Sequence, residues 1–126
     1  MLSGQDIFNR IYVELSPGGG GSGGEFIVEC ATDRDEWVTA TVLSDSTSYL
    51  TQTGDIIFVP PLEWAYQSHS NPNGQENTEY GYWIRLKITD LYETNPNGNY
   101  IDLSYYFEGS QKIINKKSRI IHGEKL

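Results

Sequence analysis

The chain has 126 residues, with 17 Asp and Glu against 9 Lys and Arg, which gives a formal charge of −8 at pH 7. This length supports one domain with its own hydrophobic core, and the charge argues against nucleic acid or an anionic membrane as partner. The single cysteine, Cys30, cannot form an intramolecular disulfide. No run of about 18 apolar residues occurs, so we expect a soluble protein without membrane insertion.

Alternation of apolar and polar residues with a period of two predicts β-strands along the whole chain and no long helix. The first strand, residues 6–15, places four apolar side chains on one face. These are Ile7, Ile11, Val13 and Leu15. Further strands are predicted in chain order at 25–31, 37–43, 55–59, 80–89, 100–107 and 111–121.

The stretch SPGGGGSGGEF, residues 16–26, interrupts this pattern. Its GGGGS unit is typical of designed fusions, and its composition predicts a random coil. We therefore interpret residues 16–25 as a flexible Gly/Ser linker, engineered rather than natural, that tethers strand 6–15 to the body. Three origins fit: a trimmed loop, a circular permutation, or a tethered donor strand from a partner.

Turn signals separate the remaining strands. Asn-Pro-Asn-Gly occurs twice, at 71–74 and 95–98, and the sequence favours a β-turn at each. Medium-length strands with many tyrosines and glycines are typical of sandwiches and barrels. The predicted fold is a single all-β domain over residues 1–126, an antiparallel, jelly-roll-like β-sandwich of about seven to eight strands.

Candidate catalytic residues are scarce. His69 and His122 lie in no metal-ligand spacing, and Cys30 lies in a strand without an activating neighbour in sequence. We therefore predict that the protein is not an enzyme. No cofactor or metal is predicted, and the one ion considered is a structural calcium at the turn TDRDE, where the weak candidate ligands are Asp33, Asp35 and Glu36.

Aromatic side chains give a stronger signal. Trp83 and Arg85 share one face of the strand at 80–89, opposite the apolar face. An arginine stacked on Trp83 and anchored by Asp45 or Glu63 would form a structural clamp, which is the interpretation we favour. The alternative is a ligand platform for a glycan, built from Trp64, Trp83 and Arg85.

An ordered set of short motifs carries a family resemblance. Residues 36–64, EWVTATVLSDSTSYLTQTGDIIFVPPLEW, and residues 80–89, YGYWIRLKIT, resemble the β-sandwich module of phage tail and baseplate-associated structural proteins. The matching positions are Trp37, Asp45, Thr47, Gly54 to Pro60, Trp64 and Tyr82 to Arg85. Two features depart from the pattern: Ser46 stands where the family usually has Gly, and the loop at 67–79 is longer.

The resemblance implies a non-enzymatic building block of a virion or tail-like particle, sometimes near a host-binding tip, and a virion or extracellular location. Its partners would be copies of itself or neighbouring structural subunits. An alternative is a surface carbohydrate-binding or adhesion module that uses exposed aromatics. A second alternative is a fibre or pilus subunit completed by donor-strand exchange, in which the exchanged or assembling strand would present Ile7, Ile11, Val13 and Leu15.

Overall fold

The structure is a computed structural model that describes residues 2–4, 6–34, 36–69, 79–107, 112–116 and 118–120. These ranges contain eleven β-strands and no helix. In chain order the strands are β1 Leu2–Gly4, β2 Arg10–Leu15, β3 Glu25–Ala31, β4 Trp37–Thr39, β5 Thr41–Asp45, β6 Gly54–Val59, β7 Tyr66–His69, β8 Glu79–Asp90, β9 Gly98–Phe107, β10 Lys112–Lys116 and β11 Ser118–Ile120. Within the described part of the chain, no helix could cross a membrane.

The strands form two antiparallel sheets. Sheet A has the order β11-β1-β8-β3-β4, with β7 also paired to β8, and sheet B has the order β10-β9-β2-β6-β5. This confirms the all-β, antiparallel prediction, whereas the jelly-roll connectivity stays a prediction. The count exceeds the predicted one because the strand predicted at 37–43 divides into β4 and β5 and the last one into β10 and β11, while β1 and β7 were not predicted.

The core lies between the two sheets and follows the alternation read from the sequence. Ile11 and Val13 of β2, Val28 of β3, Ile84 of β8 and Leu103 of β9 are all fully buried. Their neighbours along each strand lie on the other face of the sheet, away from this core, because successive side chains of a strand alternate between faces. The core therefore takes one apolar stripe from each central strand.

The start of the first predicted strand differs from expectation. Ile11 and Val13 are fully buried and Leu15 is nearly so, but Ile7 is 41 % exposed and Phe8 is buried in its place. The strand begins only at Arg10. Residues before it do not follow the two-residue period, so Ile7 does not belong to the apolar face of β2.

Both edges of the sandwich contain a chain segment that passes from one sheet to the other. Ala40 lies between β4 in sheet A and β5 in sheet B, is buried, and donates its N–H to the Val28 carbonyl at 2.8 Å. At the opposite edge, β10 of sheet B is followed by β11 of sheet A. The chain thus joins the two sheets along both sides of the core.

Candidate functional site

Trp64 is a core residue. Its ring centroid lies 4.9 Å from that of Phe8, 5.8 Å from that of Phe58 and 5.5 Å from that of Tyr82, all in edge-to-face geometry. Its indole N–H donates to the Trp83 carbonyl at 2.8 Å. The ring is 5 % exposed, so it offers no face on which a ligand could stack.

Trp83 lies on the opposite face of sheet A from this core. It is fully buried, packs with Ala31 and Trp37, and donates its indole N–H to the Gln67 carbonyl at 2.8 Å. Trp64 and Trp83 are therefore linked through the backbone of β8 but point away from each other. The structure does not bring the two rings together as a shared solvent-facing platform.

Arg85 forms a clamp of the predicted kind with other partners. Its guanidinium lies 4.2 Å from the ring centroid of Trp37, rather than on Trp83, and its Nε donates to Glu29 Oε1 at 2.7 Å. Neither Asp45 nor Glu63 supplies the carboxylate of this ion pair. Glu29 and Arg85 are directly opposite in the pairing of β3 with β8, which the sequence alone does not specify.

Removing the carboxylate of Glu29 tests this clamp. Glu29 is 7 % exposed, so Glu29→Ala leaves Arg85 without the partner of its charge-assisted hydrogen bond, and the free energy of unfolding should fall by about 2 kcal/mol. Urea unfolding measures the change. Glu25→Ala, at an exposed position of the same strand, should stay within about 0.5 kcal/mol of wild type. Equal stability of both variants would contradict the clamp.

Thr32 organises the turn TDRDE, which contains the weak candidate calcium ligands. Its hydroxyl accepts the N–H groups of Arg34 at 3.4 Å and Glu36 at 3.2 Å, and its own N–H donates to the Glu36 carbonyl at 2.7 Å. Asp33 and Glu36 are exposed, and Asp35 lies outside the described residues. Among the residues the structure describes, no three His, Cys, Asp or Glu side chains converge as a metal site would require.

Arg10 forms a second ion pair on the outer face of sheet B. It contacts Asp55 Oδ1 at 2.6 Å, donates to the Ser104 hydroxyl at 3.2 Å, and lies 5.5 Å from the ring centroid of Tyr12. The pKa of the nearby Asp102 is raised above its ordinary value, because the effect of burial is larger than the opposing effect of the positive charge of Arg10. Arg10 thus ties together the three central strands of sheet B.

Cys30 has the environment of a structural thiol. It lies on β3 and is fully buried in the core between the two sheets, and burial raises its pKa to about 12. The thiol is therefore protonated at neutral pH, whereas nucleophilic cysteines act as thiolates.

The glycine-rich segment makes defined backbone hydrogen bonds in the structure, while its flexibility stays a prediction from composition. Gly21 donates to the Leu50 carbonyl at 2.8 Å, and Ser22 exchanges backbone hydrogen bonds with Thr94 and Glu93. At its start, the Ser16 N–H donates to the Asn97 carbonyl at 2.9 Å, and the Asn97 N–H donates to the Gly19 carbonyl at 2.8 Å. The second Asn-Pro-Asn-Gly thus pairs with the glycine segment, and the first lies outside the described residues.

Several of these glycines lie where a side chain has no room. A Cβ on Gly20 would lie within 3.0 Å of the Thr51 carbonyl oxygen, and one on Gly24 within 3.0 Å of the Tyr92 ring. Real Cβ atoms do not approach other atoms so closely. The absence of side chains therefore lets this segment pack directly against two neighbouring loops.

One of those loops contains a left-handed turn built without glycine. Ser48, Tyr49 and Leu50 have φ angles of 50°, 58° and 63°. The Asp45 carboxylate accepts the N–H groups of Thr47 and Tyr49, each at 2.9 Å, and also the Thr47 hydroxyl. Left-handed backbone costs roughly 1 kcal/mol or more per non-glycine residue, so these hydrogen bonds offset a local strain.

Tyr92 connects the third loop to the other two. Its hydroxyl donates to the Tyr49 carbonyl at 2.8 Å, and its ring covers Gly21 and Gly24. Burial, with smaller contributions from Asp45 and Tyr49, raises the pKa of this phenol to about 12, so the donor stays protonated at neutral pH. We call this assembly of residues 16–24, 45–53 and 91–97 the three-loop end.

Four exposed apolar side chains lie on β5, at the end of β6 and just after β6. Residues 41–44 and 59–62 carry no charged side chain, although the whole chain has a formal charge of −8. Val42, Leu43, Val59 and Leu62 are 39 %, 64 %, 45 % and 99 % exposed. We call these four residues the β5 patch, and β5 itself is the edge strand of sheet B.

No family model, curated protein or solved structure matches this chain significantly. The resemblance to phage tail modules therefore rests on the sequence motifs alone. The structure gives two of those motifs a local role, since Asp45 and Thr47 accept hydrogen bonds from the left-handed turn and Trp64 fills the core. The β5 patch was not predictable from the sequence, because the exposure of side chains at a sheet edge depends on strand order, which no local pattern specifies.

Proposed function

We propose that the protein is a non-enzymatic structural module that assembles with copies of itself, as a building block of a virion or tail-like particle. The observation that carries this proposal is the β5 patch. Several exposed apolar side chains near one sheet edge favour an interaction there, because single exposed apolar residues are common on soluble domains but clusters of them often mark interaction sites.

The edge position of the patch suits assembly. Among the strands that the structure describes, β5 pairs only with β6, so its second edge presents backbone groups to a neighbour. A bulge between Val42 and Ser44 interrupts the regular ladder there. Because bulges oppose continuous strand pairing, the contact is expected to rely chiefly on the side chains of the patch.

The rest of the fold supports the role of a rigid spacer. Both edges of the sandwich contain segments that join the two sheets, and the three-loop end is held by backbone hydrogen bonds. A jelly-roll-like connectivity would suit the same role. A building block with these features would hold neighbouring subunits at a fixed distance and orientation without changing its own conformation.

Donor-strand exchange would make different use of the first strand. In the structure β2 lies at the centre of sheet B, between β6 and β9 of its own chain. Exchange would place Ile11 and Val13, which are fully buried here, in the same groove of a neighbouring copy, between its strands β6 and β9. The proposal of assembly through the outer edge therefore rests on the β5 patch and not on the placement of β2.

A charge placed in the β5 patch tests the proposal. The wild-type mass measured by light scattering should rise with protein concentration, and Leu43→Lys should raise the dissociation constant by about tenfold or more, because an apolar contact is replaced by a charge that must be desolvated. Thermal unfolding should be nearly unchanged, since Leu43 is 64 % exposed.

Leu91→Lys is the matched control. Leu91 is 83 % exposed but lies outside the β5 patch, so this variant should associate like wild type. A wild-type protein that stays monomeric at high concentration would contradict assembly. Association that Leu43→Lys leaves unchanged would contradict the patch as its site.

A further inference from the structure

A strip of tyrosines extends from the core onto the surface of the β7–β8 hairpin. Tyr66 is directly opposite Tyr82 and Ser68 is directly opposite Tyr80, so all four side chains share the face of sheet A that forms the core. The Tyr66 and Tyr80 rings lie 6.1 Å apart with planes inclined by 29°. These two residues are 49 % and 59 % exposed.

The inner end of the strip is held in place by the core. The Tyr82 ring lies 5.5 Å from that of Tyr66 and 5.5 Å from that of Trp64. Trp64 is in turn fixed by the hydrogen bond from its indole N–H to the Trp83 carbonyl. The exposed tyrosines are therefore supported by a chain of ring contacts that begins at a buried tryptophan.

From this geometry we propose that Tyr66 and Tyr80 form a stacking site for a neutral saccharide. Exposed aromatic carbons can pack against the apolar C–H face of a pyranose, while the Ser68 hydroxyl can hydrogen-bond one of its hydroxyl groups. Rings already held in position lower the ordering cost of such a contact, which matters for a weak ligand.

Other ligands that stack on aromatics fit less well. A nucleic acid needs its phosphates neutralised, and the chain carries a formal charge of −8. A cation bound by several rings needs space between them, but the Tyr66 ring lies only 6.1 Å from that of Tyr80 and 5.5 Å from that of Tyr82. The parts of Tyr66 and Tyr80 that remain exposed suit a flat, uncharged ring. This site lies on sheet A and is independent of assembly through the β5 patch.

Titration with soluble glycans, followed by NMR of the backbone amides, tests the proposal. The probes are cellohexaose, maltohexaose and chitohexaose, each added to the full chain up to millimolar concentration. At least one probe should cause saturable shifts at Tyr66, Ser68 and Tyr80. Tyr80→Ala should weaken that binding about tenfold, whereas Tyr80→Phe, which keeps the ring, should retain most of it.

Tyr100→Ala is the matched control, because Tyr100 is 51 % exposed on β9 of the other sheet. It should bind like wild type. Tyr66→Ala gives a second test at a position that is half exposed, and it should weaken binding as Tyr80→Ala does. Absence of saturable shifts with all three probes would overturn the proposal, as would binding that neither Tyr80→Ala nor Tyr66→Ala weakens.

Discussion

Replacing Gly24 with alanine is expected to lower the free energy of unfolding by about 3 kcal/mol, the upper part of the range for overpacked sites. The new Cβ would lie within 3.0 Å of three Tyr92 ring atoms, which include the ring carbon attached to Cβ. The base of the ring cannot swing away by a change at the tip of the side chain. The loop must shift instead, which disturbs the hydrogen bonds of Ser22 with Glu93 and Thr94.

Gly20→Ala should have a similar effect, because the new Cβ would meet the backbone carbonyl of Thr51. Gly18→Ala is the control within the same segment. A Cβ at Gly18 has no atom within 4 Å, and only its φ of +72° opposes the change, at a cost of about 1 kcal/mol. Chemical denaturation of the three variants measures the difference.

A random coil would give the opposite result. Alanine would then be tolerated at all three positions, and it could stabilise the protein slightly by restricting the unfolded chain. Equal stability of Gly18→Ala, Gly20→Ala and Gly24→Ala would therefore support the prediction of a flexible linker and contradict the packing argued for Gly20 and Gly24.

Removing the Asp45 carboxylate is expected to cost about 3 kcal/mol. Two backbone N–H groups and one hydroxyl lose the acceptor that the carboxylate provides. The left-handed turn also loses the hydrogen bonds that offset its strain. Asp45→Asn keeps one carbonyl oxygen and should lose about half as much. Asp90→Ala, at an exposed aspartate at the end of β8, should change the free energy of unfolding by less than about 0.5 kcal/mol.

The site of the damage can be measured separately from its size. Leu50 is 2 % exposed and its carbonyl accepts the Gly21 N–H, so hydrogen exchange at Gly21 should accelerate in Asp45→Ala. Unchanged exchange at Gly21, or a loss no larger than that of Asp90→Ala, would contradict the role given to Asp45.

The sequence predicted the parts of this fold that follow local rules. The alternation in β2, β3 and β8 identified which side chains face the core, because the two-residue period is fixed by backbone geometry. The same rule failed at Ile7, where regular strand geometry has not yet begun. Local pattern thus predicts faces well inside a strand and poorly at its ends.

Features that depend on distant residues were not predictable in the same way. Parity placed Arg85 on the outer face, but its partner Glu29 is 56 residues away and follows from the register of β3 with β8. The composition of the glycine segment predicts flexibility, because composition contains no information about the packing of Gly24 against Tyr92 or of Gly20 against Thr51. The exposed Tyr66 and Tyr80 were likewise missed, since their exposure follows from the hairpin that projects them.

The passage of the chain from sheet to sheet at Ala40, and again between β10 and β11, has a mechanical consequence. In a sandwich whose sheets touch only through side chains, a sideways load can slide one layer over the other. Here a load that draws the sheets apart or past each other is carried by covalent backbone along both edges. Resistance to shear should therefore depend on the peptide chain at those two crossings as well as on the apolar packing between the layers.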